Sequence, residues 1–181
     1  MMGATAWGRF PWTVSVPAMS QSEPSGREPT HRPWAAPPPG RLVGRGHPAG
    51  DFLEAWAWDV LEEAPGYLRL EATLPDHVKN PRGQLFGGFT PTYVDLVALF
   101  TVRAGEDRSM PRPMRWLATT NMRVDYFEPV TGPRFVIDSR RENQRGRTHF
   151  VSTRFLQDDE LAVFALTTMR EVDLSRALGD A

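Results

Sequence analysis

Apolar residues recur at every second position along several stretches of this chain, and along one stretch they hardly alternate at all. Tyr67 to Leu74 is the plainest alternation, with Leu68, Leu70, Ala72 and Leu74 on one side and Arg69, Glu71 and Thr73 on the other. A period of two marks a strand with one covered face. Ala55 to Glu63 sets Trp56, Trp58 and Val60 on one face, follows a short helical turn through Phe52 and Leu53, and is joined to Tyr67–Leu74 by Ala64-Pro65-Gly66. The pair reads as a hairpin. Trp116 to Phe127 alternates Trp116, Ala118, Met122, Val124 and Tyr126 against Thr119, Asn121, Arg123 and Asp125, after a Pro-rich loop (MPRPMRW) and before the break at Glu128 to Gly132. Phe135 to Asn143, Thr148 to Leu156 and Leu161 to Glu171 are three more strands, separated by Gln144-Arg145-Gly146 and Asp158-Asp159. Separators this short suit antiparallel hairpins.

The exception is the segment from about Gly88 to Arg103. Between Val94 and Val102 every residue is Val, Leu, Ala, Phe or Thr apart from Asp95, so the pattern predicts a helix that is buried rather than amphipathic. Pro91 agrees with a helix start, because a first-turn proline breaks no helical hydrogen bond. A single apolar helix cannot sit outside a sheet, so the expected α+β fold is a curved antiparallel sheet of about six strands wrapped around one long central helix. Such a single layer leaves open sheet edges, which a second copy of the chain would close. Trp56, Trp58 and Trp116 fall on strand faces that should pack into the core.

At 181 residues the chain suits one domain. Residues 1–50 carry many of its 17 prolines and no period, and read as a Pro-rich disordered tail; 51–173 form the folded domain and 174–181 a C-terminal tail. Met19 is an alternative start, and Pro37-Pro38-Pro39 reads as a linker. A net charge of −1 argues against general nucleic-acid or anionic-membrane affinity, and no run approaches a membrane span or a signal-peptide core. The absence of cysteine removes disulfides, thiolate zinc sites and a Cys nucleophile, and fits a cytoplasmic protein. His31, His47, His77 and His149 lie far apart without ligand spacing and read as surface or loop residues rather than a metal site.

The candidate chemistry lies in HVKNPRGQLFGGFTPTYVD, His77 to Asp95. Gly87 and Gly88 fall where the helix begins, and the first N–H groups of a helix have no internal partner, so with side chains absent they are open to a ligand oxygen. Asp95 is costly in an apolar helix unless paired, solvated or used. A plain Gly-rich helix start with a water-facing Asp is the other reading. Seven or eight residues of helix separate glycines and carboxylate by roughly 10 to 12 Å, whereas reacting atoms must come within about 3 to 3.5 Å. The pair makes chemical sense when an antiparallel second copy brings its Asp95 beside Gly87.

Asn80, Gly83, Gly87, Gly88 and Asp95, spaced N-x2-G-x3-GG-x6-D, recur by chance at about one in a million starting points. On these residues the chain, from about Asp51 to Glu171, resembles the hotdog-fold acyl-CoA thioesterases of the phenylacetic-acid-degradation type. His77, Thr119, the strand end VDYFEP and Gly146-Arg147-Thr148 match secondarily. The resemblance implies a hotdog fold, a homodimer or dimer of dimers, acyl-CoA as substrate and no cofactor besides the coenzyme A carried by that substrate. It implies that the Gly87 N–H, with Gly88, polarises the thioester carbonyl, that Asp95 of the partner acts as nucleophile or general base, and that Asn80 and Thr119 position the water or the carboxylate. His77, Gly83 and Phe86 would line the substrate, and Gly146, Arg147 and Thr148 would hold the nucleotide end of coenzyme A, where arginine's fork suits phosphate. Taken alone, Gly146-Arg147 is more often just a hairpin turn.

Two positions depart from that pattern. Phe86 stands where the family usually has His, and Glu128 where a basic or small residue is usual. The loss of an imidazole would slow hydrolysis, alter substrate choice, or mark a protein that binds acyl-CoA or an acyl carrier without turnover. Dehydration of 3-hydroxyacyl thioesters is a weaker reading, because it usually relies on the missing His. No nucleophile elbow or phosphate-binding P-loop is present.

Overall fold

The computed structural model describes residues 37–46, 48–106 and 115–173. The elements are α1 (Pro48–Phe52), β1 (Asp59–Ala64), β2 (Tyr67–Thr73), α2 (Thr90–Val102), β3 (Arg115–Tyr126), β4 (Arg134–Arg145), β5 (Thr148–Gln157) and β6 (Glu160–Asp173), with single 3-10 turns at Ala55–Ala57 and Asp76–Val78. The six strands make one sheet in the order β1-β2-β4-β5-β6-β3, antiparallel throughout. The sheet curves around α2, as the alternating and unbroken apolar patterns require.

Two-residue loops set the late hairpins. Asp158 and Asp159 both adopt left-handed backbone, at φ 53° and 64°, between the paired residues Gln157 and Glu160, which is the turn whose twist matches the flanking strands. The β4–β5 loop is Gly146-Arg147, between Arg145 and Thr148, where the sequence pattern placed Gln144-Arg145-Gly146.

The helix is held by its second-turn tyrosine. The Tyr93 ring stacks on Trp58 with centroids 5.3 Å apart and planes 8° apart, and it meets Phe135 and Phe155 edgewise or tilted. Trp58 Nε1 donates to Thr73 Oγ1 at 3.1 Å, and the Tyr93 hydroxyl donates to the Thr73 carbonyl at 2.9 Å. Burial holds that phenol far above the ordinary tyrosine range. Successive helical residues are about 100° apart, so fixing Tyr93 inward turns Asp95, two residues on, to the opposite side. Asp95 is accordingly exposed, with Thr92 and Leu99 half-buried on the same stripe. The helix is therefore buried on most of its circumference and open along one stripe, where the apolar pattern predicted a buried helix interrupted by Asp95.

Four other expectations need correction. The Ala-Trp-Ala-Trp alternation before Asp59 belongs to a 3-10 turn entered through left-handed Glu54 at φ 54°. Trp58 is fully buried there, while Trp56 lies half-buried beneath the Arg45 guanidinium, 3.7 Å from the ring centroid. Packing also starts before Asp51: Leu42 and Val43 belong to the main core, the Gly40 carbonyl accepts the Val60 N–H at 2.9 Å, and Arg41 pairs with Asp59. An isolated apolar pair amid Pro and Gly carries no period from which to be recognised. His149 is 2% exposed on β5, not a surface residue, with Nε2 3.1 Å from Glu171 Oε1. Trp116, expected in the core, is 52% exposed.

The last correction has one cause. β3 carries a bulge against β6 between Thr119 and Asn121, and one extra residue reverses which side chains face the helix. Before it, Leu117 packs beside Ala98, Val102 and Met169; after it, Met122 and Val124 pack on the main core. Residues 1–36 of the N-terminal tail with His31, His47, most of the Pro-rich loop before Trp116 (107–114) and the C-terminal tail lie outside the described residues.

The Tyr93 anchor sets a graded stability test by urea unfolding. Tyr93→Phe removes one hydrogen bond and should cost about 1 kcal/mol, whereas Tyr93→Ala removes the stacked ring and should cost about 3–5 kcal/mol.

Candidate active site

The loop that leads into α2 is tied by Asn80. Its Oδ1 accepts the Arg82 and Gln84 N–H groups at 2.9 and 3.2 Å, its Nδ2 donates to Gln84 Oε1 at 3.2 Å, and its own N–H donates to the Gln84 carbonyl at 2.7 Å. Gly83 closes the turn with left-handed backbone at φ 76° and donates to the Asn80 carbonyl at 2.9 Å, a conformation glycine adopts without steric cost. Phe86 N–H to Val78 and Leu85 N–H to Val130, at 2.9 and 2.8 Å, clamp the loop on either side. Both motif residues thus shape the approach to the glycines, and the Asn80 side-chain bonds stay within its own loop.

Gly87 and Gly88 form a turn one residue ahead of the helix, which begins at Thr90 with Pro91 in its first turn and no side-chain cap on Phe89. The Gly87 carbonyl accepts the Tyr126 hydroxyl at 2.8 Å. Among the described residues, the Gly87 and Gly88 N–H groups have no acceptor, as expected of donors next to a helix N-terminus. Gly88 has a second reason to be glycine: a Cβ there would lie 2.7 Å from Phe86 Cε1. The Phe86 ring covers Gly88, is 50% exposed, and meets Phe89 edgewise at 5.5 Å.

Asp95 accepts a short hydrogen bond on Oδ1 from the Thr119 hydroxyl. The β3 bulge makes this contact possible, because it puts Thr119 on the helix side of the sheet. That bond fixes the carboxylate and leaves Oδ2 free of partners among the described residues. The pair opens into a cavity of ≈420 Å³ whose walls include Leu96, Leu99, Leu117 and Met169. Gly87 opens instead into a cavity of ≈270 Å³ lined by Tyr126, Phe127 and Glu128. Within one chain, donor and carboxylate therefore face different cavities.

His77 is exposed and points elsewhere: its Nε2 lies 2.6 Å from the Phe52 carbonyl and its ring meets Phe52 edgewise at 5.1 Å, tying the end of α1 to this loop. Gly146, at φ 58°, and the exposed Arg147 form the β4–β5 tip, with the Arg147 carbonyl accepting the Glu171 N–H at 2.8 Å. Thr148 opens β5 opposite Arg170, which in turn pairs with Ala118 beside Thr119. Two strand spacings of about 4.8 Å separate the hairpin tip from β3. Sequence reasoning brought forward Tyr126 only as a strand residue and did not find Pro48 and Ala49, which line the Asp95 cavity; neither carries a motif, and only the fold brings them there.

No family model matches the sequence, and no curated protein matches it. Solved structures do. A phenylacetic acid degradation-related protein from Ralstonia eutropha JMP134, named as a candidate thioesterase, is 20% identical over 69% of this chain and 89% of its own, with a TM-score of 0.57. A thioesterase from Haemophilus influenzae is 10% identical over 70% and 83%, TM-score 0.58. A hypothetical thioesterase from Streptococcus pneumoniae, solved with coenzyme A, is 13% identical over 64% and 86%, TM-score 0.53. Six antiparallel strands curved around one long helix, in the arrangement shared with these proteins, make this the hotdog fold.

Proposed function

We propose that the chain is an acyl-CoA thioesterase whose active site is shared by two copies. The observation that carries this reading is the Asp95–Thr119 pair in a mainly apolar cavity, with the unpartnered Gly87 N–H opening into a separate one. The likeness to named thioesterases, one of them solved with coenzyme A, supports the reaction class.

The chemistry follows from the groups present. The Gly87 N–H of one copy donates to the thioester carbonyl and stabilises the oxyanion that forms as a nucleophile adds. Asp95 of the other copy takes the proton of the attacking water as general base, or attacks the carbonyl carbon itself to give an anhydride that water then cleaves. The tetrahedral adduct collapses with cleavage of the C–S bond; the thiolate leaves, a proton returns to it, and a free carboxylic acid remains. Thr119 holds the carboxylate in place, and Asn80 and Gly83 hold the loop that presents the glycines. No metal or redox group enters these steps. Gly146, Arg147 and Thr148 hold the nucleotide phosphates.

The second copy is called for by the sheet as well. β3 is a 12-residue edge strand, with Trp116 and Tyr126 on it and Phe127 beside it more than half exposed. A long edge strand with exposed aromatic rings at both ends is a ready template for pairing with another chain. The homodimer, its further pairing into a dimer of dimers, and a cytoplasmic location are all part of this proposal. Among the described residues, no helix is long and apolar enough to cross a membrane.

Phe86 favours one alternative, a protein that binds acyl-CoA or an acyl carrier with little turnover, because it puts a hydrocarbon ring over Gly88 where the family has an imidazole. Thiol release separates the two readings. Asp95→Asn should lower kcat by roughly 10²–10⁴-fold, the range for a lost general base, with the melting temperature unchanged; full activity in that variant would remove the mechanism. A parent without turnover that gains it on Phe86→His would establish the binding protein. Arg147→Ala should raise KM for acyl-CoA about tenfold, the lower end for a hydrogen bond to a charged group, and leave KM for the matching acyl-pantetheine unchanged.

A further inference from the structure

The residues opposite Asp95 include two that precede the region of family resemblance. Pro48 and Ala49 of α1 line the same cavity as Thr92, Asp95 and Thr119. The segment that carries them is fastened at several points. Leu42, Val43 and Leu53 are buried, and the Arg41 guanidinium donates to the Ala57 carbonyl at 2.8 Å. The Gly46 N–H donates to Asp51 Oδ2 at 2.9 Å, and Phe52 meets Phe89 edgewise at 5.4 Å and His77 at 5.1 Å. His77 also binds the Phe52 carbonyl. Fastening of this density makes α1 a fixed wall rather than a mobile flap.

The chemistry of the lining identifies what the wall meets. A pantetheine arm brings two amides, each of which needs a hydrogen-bonding partner when buried. Besides the indole N–H of Trp116, the polar side chains here are Thr92, Asp95 and Thr119, of which the last two bond one another. The remaining surface is mainly hydrocarbon, chiefly from Leu96, Leu99, Leu117, Met169 and the Trp116 ring, and it suits an acyl chain. Against those large side chains, Pro48 and Ala49 are small, so the space they leave open limits how far an acyl group extends from the carboxylate.

We infer that α1 forms the end wall of the acyl pocket and that Ala49 sets the length of acyl group accepted. The inference rests on the thioesterase reading and adds a specificity-determining residue to it. Ala49 touches no reacting atom in this account; it acts by excluded volume.

The test is kcat/KM for straight-chain acyl-CoAs from acetyl to palmitoyl, measured on the full-length parent, Ala49→Val and Ala49→Phe, with folding checked by circular dichroism. Ala49→Phe should cut kcat/KM for the longest acyl group the parent accepts by tenfold or more, through KM, and leave acetyl-CoA within twofold. Ala49→Val should lie between, since each methylene excluded from an apolar site loses about fourfold. If Ala49→Phe does not fold, the Ala49→Val profile decides in the same way. A folded variant whose profile over chain length runs parallel to the parent's overturns the inference while leaving the thioesterase reading in place. If the parent binds acyl-CoAs without releasing thiol, the same profile is read from dissociation constants, and parallel profiles overturn the inference there too. A parent that neither hydrolyses nor binds any member of the panel overturns both.

Discussion

The stack of Tyr93 on Trp58 is the contact on which the geometry of this protein depends. It joins the central helix to the turn ahead of β1, and both partners reach Thr73 at the end of β2, one through its side chain and one through the backbone carbonyl. The helix can neither slide nor rotate without breaking aromatic packing and two part-buried hydrogen bonds. Because Tyr93 points toward Trp58, Phe135 and Phe155, Asp95 points to the other side of the helix, where it meets Thr119 on the edge strand β3, and an ionisable group in the most apolar segment of the chain avoids the cost of burial. The core thus aims the carboxylate.

A second device completes the aim from the sheet. β3 begins in one phase and ends in the other, and the extra residue at the bulge lets Leu117 and Thr119 face the helix before it and Met122 and Val124 after it. Bulges of this kind re-aim side chains next to functional sites. The same reversal sends Trp116 outward along an unpaired sheet edge. One local irregularity therefore brings Thr119 to Asp95 and turns Trp116 outward on the edge strand.

The regular parts of this fold were legible in the sequence, and the irregular parts were not. β2, β5 and the long helix follow directly from period two and from a nearly unbroken apolar run, and the Asp158-Asp159 loop from its two Asp residues. A bulge has no residue signature in one sequence: the alternation through Trp116 to Tyr126 continues undisturbed on paper, so Thr119 was assigned by resemblance and its face was read wrongly. Leu42 and Val43 were hidden for another reason, since two apolar residues among prolines have no period. The motif glycines and Asp95 stood out because each violates its surroundings. Tyr126 on the Gly87 carbonyl and the α1 residues that line the Asp95 cavity are tertiary facts, made by segments far apart in the chain.

Subunit mixing tests the central claim, that the reaction needs groups from two copies, most directly. Asp95→Asn lacks the carboxylate and Gly87→Pro lacks the N–H, so neither homodimer should hydrolyse acyl-CoA. Co-expressed with different tags and purified as the mixed dimer, the two variants would rebuild one intact site from opposite chains, and about half the parent's activity per dimer should return. A mixed dimer as inactive as either variant alone would place donor and carboxylate in the same chain and contradict the account.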